Sequence, residues 1–217
     1  MTGHTLYLDA AIAAAVVYPA GLAYSLYTSW WGFPRQVSTR LLAMLALPAA
    51  LVVPAVHALR PELVALNGTG SSWLAAALLA APLALGVEWC VHAGAIVATT
   101  GHRPSGVGLP EFWTPRLSPG GHVLLACIAV GEELFYRAIW IGLLLSLGAG
   151  PVLALLISAT AYGLNHLSFG AATVIAKSMT GLIYGGLLVA TGSISVPIAA
   201  HVLQNVLVLR LARPRHA

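Results

Sequence analysis

The chain has 217 residues, of which 59% are hydrophobic and only 7% charged, with ten Lys/Arg against six Asp/Glu and a formal net charge of +4. An ordinary soluble domain carries roughly 25% charged residues, so the composition excludes a soluble enzyme and indicates an integral membrane protein. The basic residues lie mainly in connections and at the C-terminus, where they set membrane orientation rather than bind nucleic acid.

The first apolar segment runs from about Leu6 to Trp31, with Asp9 near its start and Pro19-Ala20-Gly21 as a kink. Asp9, so near the end, is expected to face headgroups, and Trp30-Trp31-Gly32-Phe33-Pro34 reads as an aromatic belt ending at a breaker. The N-terminus lacks Lys or Arg before an apolar run longer than a signal core, so no cleavable signal is expected. A second segment spans about Thr39 to Leu59, and Arg60-Pro61-Glu62 with Asn67 to Ser72 form a connection. A third, about Ser72 to Thr99, carries Glu88 and His92 one turn apart, expected to be a local packing pair. A polar, Gly/Pro-rich linker follows from Thr100 to about Gly121, with Glu111-Phe112-Trp113 expected to lie on the headgroups.

The fourth segment, about His122 to Leu147, holds Glu132-Glu133 and Arg137; the fifth, Val152 to Leu167, is short and ends at His166. A sixth covers Ala171 to Ala190 with the lone Lys177, and a seventh runs from Ile194 to about Leu211 with His201 and Asn205. Cys90 and Cys127 lack ligand spacing and are expected to be buried small residues. With no repeat or long linker, residues 1–217 read as one membrane domain: an all-α polytopic helix bundle of seven helices, or eight if the first segment breaks at Pro19. The short fifth segment is a weak candidate for a full crossing. Arg35, Arg40, Arg103, Arg116, Arg210, Arg213 and Arg215 oppose Arg60 alone. The positive-inside rule then puts the N-terminus outside and the C-terminus in the cytoplasm, in a multi-pass cell-membrane protein with seven spans.

Ionisable groups inside a membrane normally mark function or a paired network. Glu133 and Arg137 are one turn apart and can pair, whereas Glu132 is offset by about 100° and is left for chemistry. In apolar surroundings it suits a general base. His166 can hold or polarise a water beside it. His201 and Asn205 share a face, and their two donors suit a developing oxyanion. Each residue alone is compatible with a structural role; a carboxylate, two imidazoles and an amide on three apolar segments favour a buried reaction or ion site.

The Glu-Glu-x-x-x-Arg of residues 132–137, the aromatic-x-x-x-His of 162–166 and the His-x-x-x-Asn of 201–205 resemble the three motifs of the CAAX-protease and bacteriocin-processing family of intramembrane glutamic endopeptidases. The resemblance covers about residues 120–210, in the family's order, with Tyr162 where Phe is usual. It implies that Glu132 and His166 activate water for attack on a peptide carbonyl. It implies also that His201 and Asn205 form the oxyanion hole, with Glu133, Arg137 and Tyr162 in support. It further implies a protein or peptide substrate cut near the membrane, with the lipid bilayer and no nucleic acid as the other partner. No cofactor and no metal is expected, because Asn205 is an oxyanion donor but a poor zinc ligand; a zinc-dependent version on two His and a Glu is the alternative. A non-catalytic immunity or scaffold protein is a further alternative. A transporter would show inverted repeats or paired broken helices, which the sequence lacks.

Overall fold

In the computed structural model, residues 3–34, 37–64, 72–103 and 117–211 are described. The Glu111-Phe112-Trp113 stretch, the Asn67 to Ser71 turn and the topological charges Arg35, Arg116, Arg213 and Arg215 lie outside them. Every regular element among the described residues is helical.

Proline and glycine set most of the boundaries. The first apolar segment is two helices, α1 (Gly3–Val16) and α2 (Pro19–Trp31), bent by 50° at the break. Pro19 opens α2 because it lacks the N–H that a helix start leaves unpaired. Helix α3 (Thr39–Leu59) begins at Ser38, whose Oγ accepts the Leu41 N–H at 3.1 Å. A short 3-10 turn (Pro61–Val64) and α4 (Ser72–Thr100) follow. Helix α5 (Pro119–Glu133) is capped by Ser118, runs without interruption into a π-helical stretch (Leu134–Trp140), and continues as α6 (Ile141–Ser146). After Pro151 come α7 (Pro151–Leu164), α8 (Ala171–Thr191), closed by Gly192 at φ 66°, and α9 (Ser195–Leu211). With α5, the π stretch and α6 taken as one rod, the bundle has eight helices among the described residues, the count expected if the first segment breaks.

The expectation of seven spans is not met by helix length. Three helices, α3, α4 and α8, are long and apolar enough to cross alone, and the bent α1–α2 pair makes a fourth. Helices α7 and α9 are apolar but shorter. Large side chains such as Leu78, Leu79, Val152 and Ile175 are exposed on the outer faces, as in a bundle solvated by lipid. Cys90 and Cys127 are exposed as well, contrary to the burial expected of them; on helices that turn whole faces to lipid, a small apolar residue can lie outside at little cost.

Asp9 also departs from expectation. It is buried at 3% exposure, and Arg60 bonds both its carboxylate and that of surface Glu62. The bond from Arg60 holds the Glu62 carboxyl below its ordinary pKa. The Asp9–Arg60 pair puts the start of α1 and the end of α3 on one side, as consecutive antiparallel spans require.

Helices α7 and α8 approach closely through small residues. A Cβ on Gly163 would lie 2.0 Å from Ser178 Oγ and 2.6 Å from the Val174 carbonyl oxygen, and one on Gly181 would lie 2.9 Å from Ala159 Cα. Backbone cannot retreat as a flexible side chain can. Gly163→Ala should therefore destabilise by about 1–3 kcal/mol, read as a lower melting temperature in detergent; an unchanged melting temperature would mean that the helices part freely.

Candidate active site

Four segments meet at the centre of the bundle. Glu132 and Glu133 end α5, Arg137 lies in the π stretch, His166 follows α7, and His201 lies on α9. The π stretch sits where a local widening of the helix often marks function. Ser158 of α7 donates to the Tyr136 carbonyl within it.

Glu133 is fully buried and uses both oxygens. Oε1 accepts from His201 Nδ1 at 2.7 Å, and Oε2 lies 3.1 Å from Arg137 Nε. The expected Glu133–Arg137 pairing is therefore present, but the carboxylate also holds a histidine from another helix. Arg137, 1% exposed, lies over the Tyr162 ring at 4.3 Å from its centroid and near that of Tyr184 at 5.7 Å. Two aromatic faces thus share its charge with Glu133. Tyr162, the aromatic opening the second motif, also packs edge-on against His166 at 5.0 Å.

Glu132 faces both imidazoles. Its Oε1 lies 3.7 Å from His166 Nε2, and its Oε2 lies 3.7 Å from His201 Nε2. These separations are beyond a direct hydrogen bond and suit groups that share a small third molecule. The opposite ring nitrogens define the tautomers. His166 Nδ1 is 3.0 Å from the Tyr162 carbonyl oxygen, which can only accept, so Nδ1 carries the proton and neutral Nε2 offers a lone pair toward Glu132. His201 Nδ1 donates to Glu133 by the same reasoning.

Asn205 follows His201 by one turn of α9 and is half-buried, and its amide makes no hydrogen bond among the described residues. The structure thus gathers Glu132, Glu133, Arg137, Tyr162, His166 and His201 around one centre. Asn205 shares only the helix of His201, and no hydrogen bond joins it to the group among the described residues.

No hydrogen bond or ion pair joins Glu88 to His92 among the described residues. Glu88 instead receives Lys177 Nζ at 2.7 Å and Thr180 Oγ1 at 3.0 Å from α8. Two lone opposite charges in separate apolar segments had the stronger electrostatic reason to meet, which is the signal in the sequence that identifies them. Tyr184 and Gln204 carried no such signal. The Tyr184 hydroxyl donates to Gln204 Oε1 at 2.7 Å, and its ring packs against His201 at 5.4 Å. Asn165 stood unremarked beside His166. Its Oδ1 accepts from the Ala20 N–H at 3.0 Å and the Gly21 N–H at 3.4 Å, donors that the start of α2 leaves unpaired. Trp140 Nε1 donates to the Val16 carbonyl at 3.3 Å, and the Tyr18 hydroxyl lies 3.2 Å from Ser168 Oγ. The α1–α2 break is thereby stitched to the elements that carry the site.

A pocket between α2, α3 and α5 reaches this centre, with Glu132 and Asn165 among its lining residues. Glu132, His166 and His201 are the side chains nearest to a metal-ligand set, but among the described residues no group of three or more His, Cys, Asp or Glu is arranged to hold a metal ion.

Residues 116–207, somewhat under half of the chain, match the family model of type II CAAX prenyl endopeptidase Rce1-like proteins. The family matched is one of CAAX-type membrane proteases, which act on protein substrates. No curated protein and no solved structure gives a significant match.

Proposed function

We propose that the protein is an intramembrane endopeptidase in which Glu132 and His166 activate a water that hydrolyses a peptide bond near the membrane. The observation that carries this reading is the convergence of the Glu132 carboxylate on two imidazole Nε2 atoms, each 3.7 Å away. A water lying between Glu132 and His166 finds two acceptors, because His166 Nδ1–H is committed to the Tyr162 carbonyl. It donates one proton toward each and turns a lone pair to the substrate. As the water oxygen bonds to the peptide carbon, its proton passes to Glu132. When the tetrahedral intermediate collapses, the C–N bond breaks and Glu132 returns that proton to the leaving amine.

His201 and Asn205 face the developing oxyanion in this scheme. His201 can donate from Nε2 only when that atom carries a proton, and Glu133 on Nδ1 steadies the resulting positive charge. Glu133 thus works through His201, and Arg137 holds Glu133. The substrate is a protein tail or leader at the membrane, and the orientation proposed is N-terminus outside and C-terminus cytoplasmic, from the distribution of arginines.

A second reading rests on the same tautomers. A metal-binding histidine usually donates its other ring N–H to a carboxylate or a carbonyl, as His201 and His166 do here. Dialysis of the purified protein against a strong chelator, followed by metal analysis and a cleavage assay in proteoliposomes, separates the two. Full activity with substoichiometric metal is the expected outcome. Stoichiometric zinc, with activity lost on removal and restored on addition, would replace the glutamic mechanism by a zinc-dependent one at the same residues. A parent protein that cleaves no candidate membrane protein would favour an immunity or scaffold role.

A further inference from the structure

The amide of Asn165 has one acceptor and two donor hydrogens. Its Oδ1 is committed to the Ala20 and Gly21 N–H groups, at 3.0 and 3.4 Å, which fixes which way the amide is turned. The other end, Nδ2, is buried and has no hydrogen-bond partner among the described residues, and the residue as a whole is 1% exposed. Capping α2 requires only the oxygen, so the nitrogen is left without a structural task. Asn165 also lines the pocket that reaches Glu132, whose walls are otherwise apolar: Leu45 and Ala49 from α3, and Ile128 and Phe135 from the α5 rod. Among the residues lining that pocket, Glu132 and Asn165 alone have polar side chains.

A peptide strand entering an apolar site brings carbonyl oxygens that lose water and need donors. The geometry points to Asn165 as a substrate-binding residue, with Nδ2 donating to a main-chain carbonyl of a peptide bound beside Glu132 while Oδ1 holds the α2 wall in place. This rests on the protease reading and adds to it the residue that grips the strand.

The test uses the full chain in proteoliposomes with Glu132→Gln as a non-cleaving background. The probe is a fluorescent peptide rich in Leu and Val around its scissile bond, together with variants that carry a thioamide at one position at a time. A thioamide sulfur accepts hydrogen bonds poorly, so one position should weaken binding by about tenfold in the Asn165 protein. Asn165→Asp keeps the capping oxygen and removes the donor; Asn165→Ala removes both. Both should bind the unmodified peptide about tenfold or more weakly and lose the thioamide effect, and both lower the melting temperature, Asn165→Ala through the lost cap and Asn165→Asp through a buried carboxylate without a cation. Either variant completes the comparison. Parent-like binding in Asn165→Asp, or a thioamide effect that persists in the variants, would reduce Asn165 to a helix cap. If Glu132→Gln itself cleaves the peptide, the protease mechanism fails, and binding compared in the Glu132 protein still decides the role of Asn165.

Discussion

Glu132→Gln should lower the cleavage rate in proteoliposomes by roughly 10²- to 10⁴-fold, the contribution expected of a positioned general base. The substitution conserves size and keeps an oxygen, so the fold and the pocket should persist and the melting temperature should change little. What disappears is the capacity to take a proton from water. Glu132 is 12% exposed, and among the described residues no Lys or Arg forms an ion pair with it. It is the less committed of the two adjacent carboxylates. Glu133→Gln should act differently, since Glu133 already serves His201 and Arg137. Its loss should disturb both stability and rate. A Glu132→Gln protein that melts like the parent but cleaves at the parent rate would remove Glu132 from the chemistry.

Arg137→Ala should destabilise the bundle by about 3–5 kcal/mol, because it leaves a carboxylate in low dielectric without its cation. Glu133 and Arg137 are 0% and 1% exposed, so solvent cannot replace the lost partner. The guanidinium also fills the space between the Tyr162 and Tyr184 rings, and its removal adds a packing defect to the electrostatic one. Arg137→Lys keeps the charge but not the planar stack, and should recover only part of the loss. Thermal unfolding in detergent measures both variants. A melting temperature unchanged in Arg137→Ala would show that Glu133 is adequately held by His201 alone.

Much of this architecture was legible because apolar runs are punctuated by prolines and glycines. The Thr39–Leu59 helix follows from its flanking breakers, and the short fifth helix from Pro151 and the Ser168-Phe169-Gly170 stop. The Glu133–Arg137 pair followed from helical spacing. Spacing within one helix could not show which helix would supply a third partner, so the bond from His201 to Glu133 was not foreseen. The same limit explains Glu88, whose neighbour at helical spacing is His92 but whose partner is Lys177 on α8. Asp9 was misplaced because distance along the chain stood in for depth; Arg60 draws it inward. The kink at Pro19 and the shortness of the fifth segment were legible in the sequence; counting apolar runs does not give how many of them are helices long enough to cross, which is three, or four with the bent pair, among the described residues. Asn165 went unnoticed since its role depends on where Pro19 interrupts another helix.

The central claim is that Glu132 and His166 act on one water as a unit, and a double-mutant comparison tests it most directly. Single-turnover cleavage of a membrane peptide would be measured for the parent, Glu132→Gln, His166→Ala and the double variant in proteoliposomes. Residues that act together are strongly non-additive, so each single variant should fall by about 10²-fold or more and the double variant should be no slower than the slower of the two. Parent-like cleavage in Glu132→Gln, or single-variant losses that multiply in the double variant, would contradict the account.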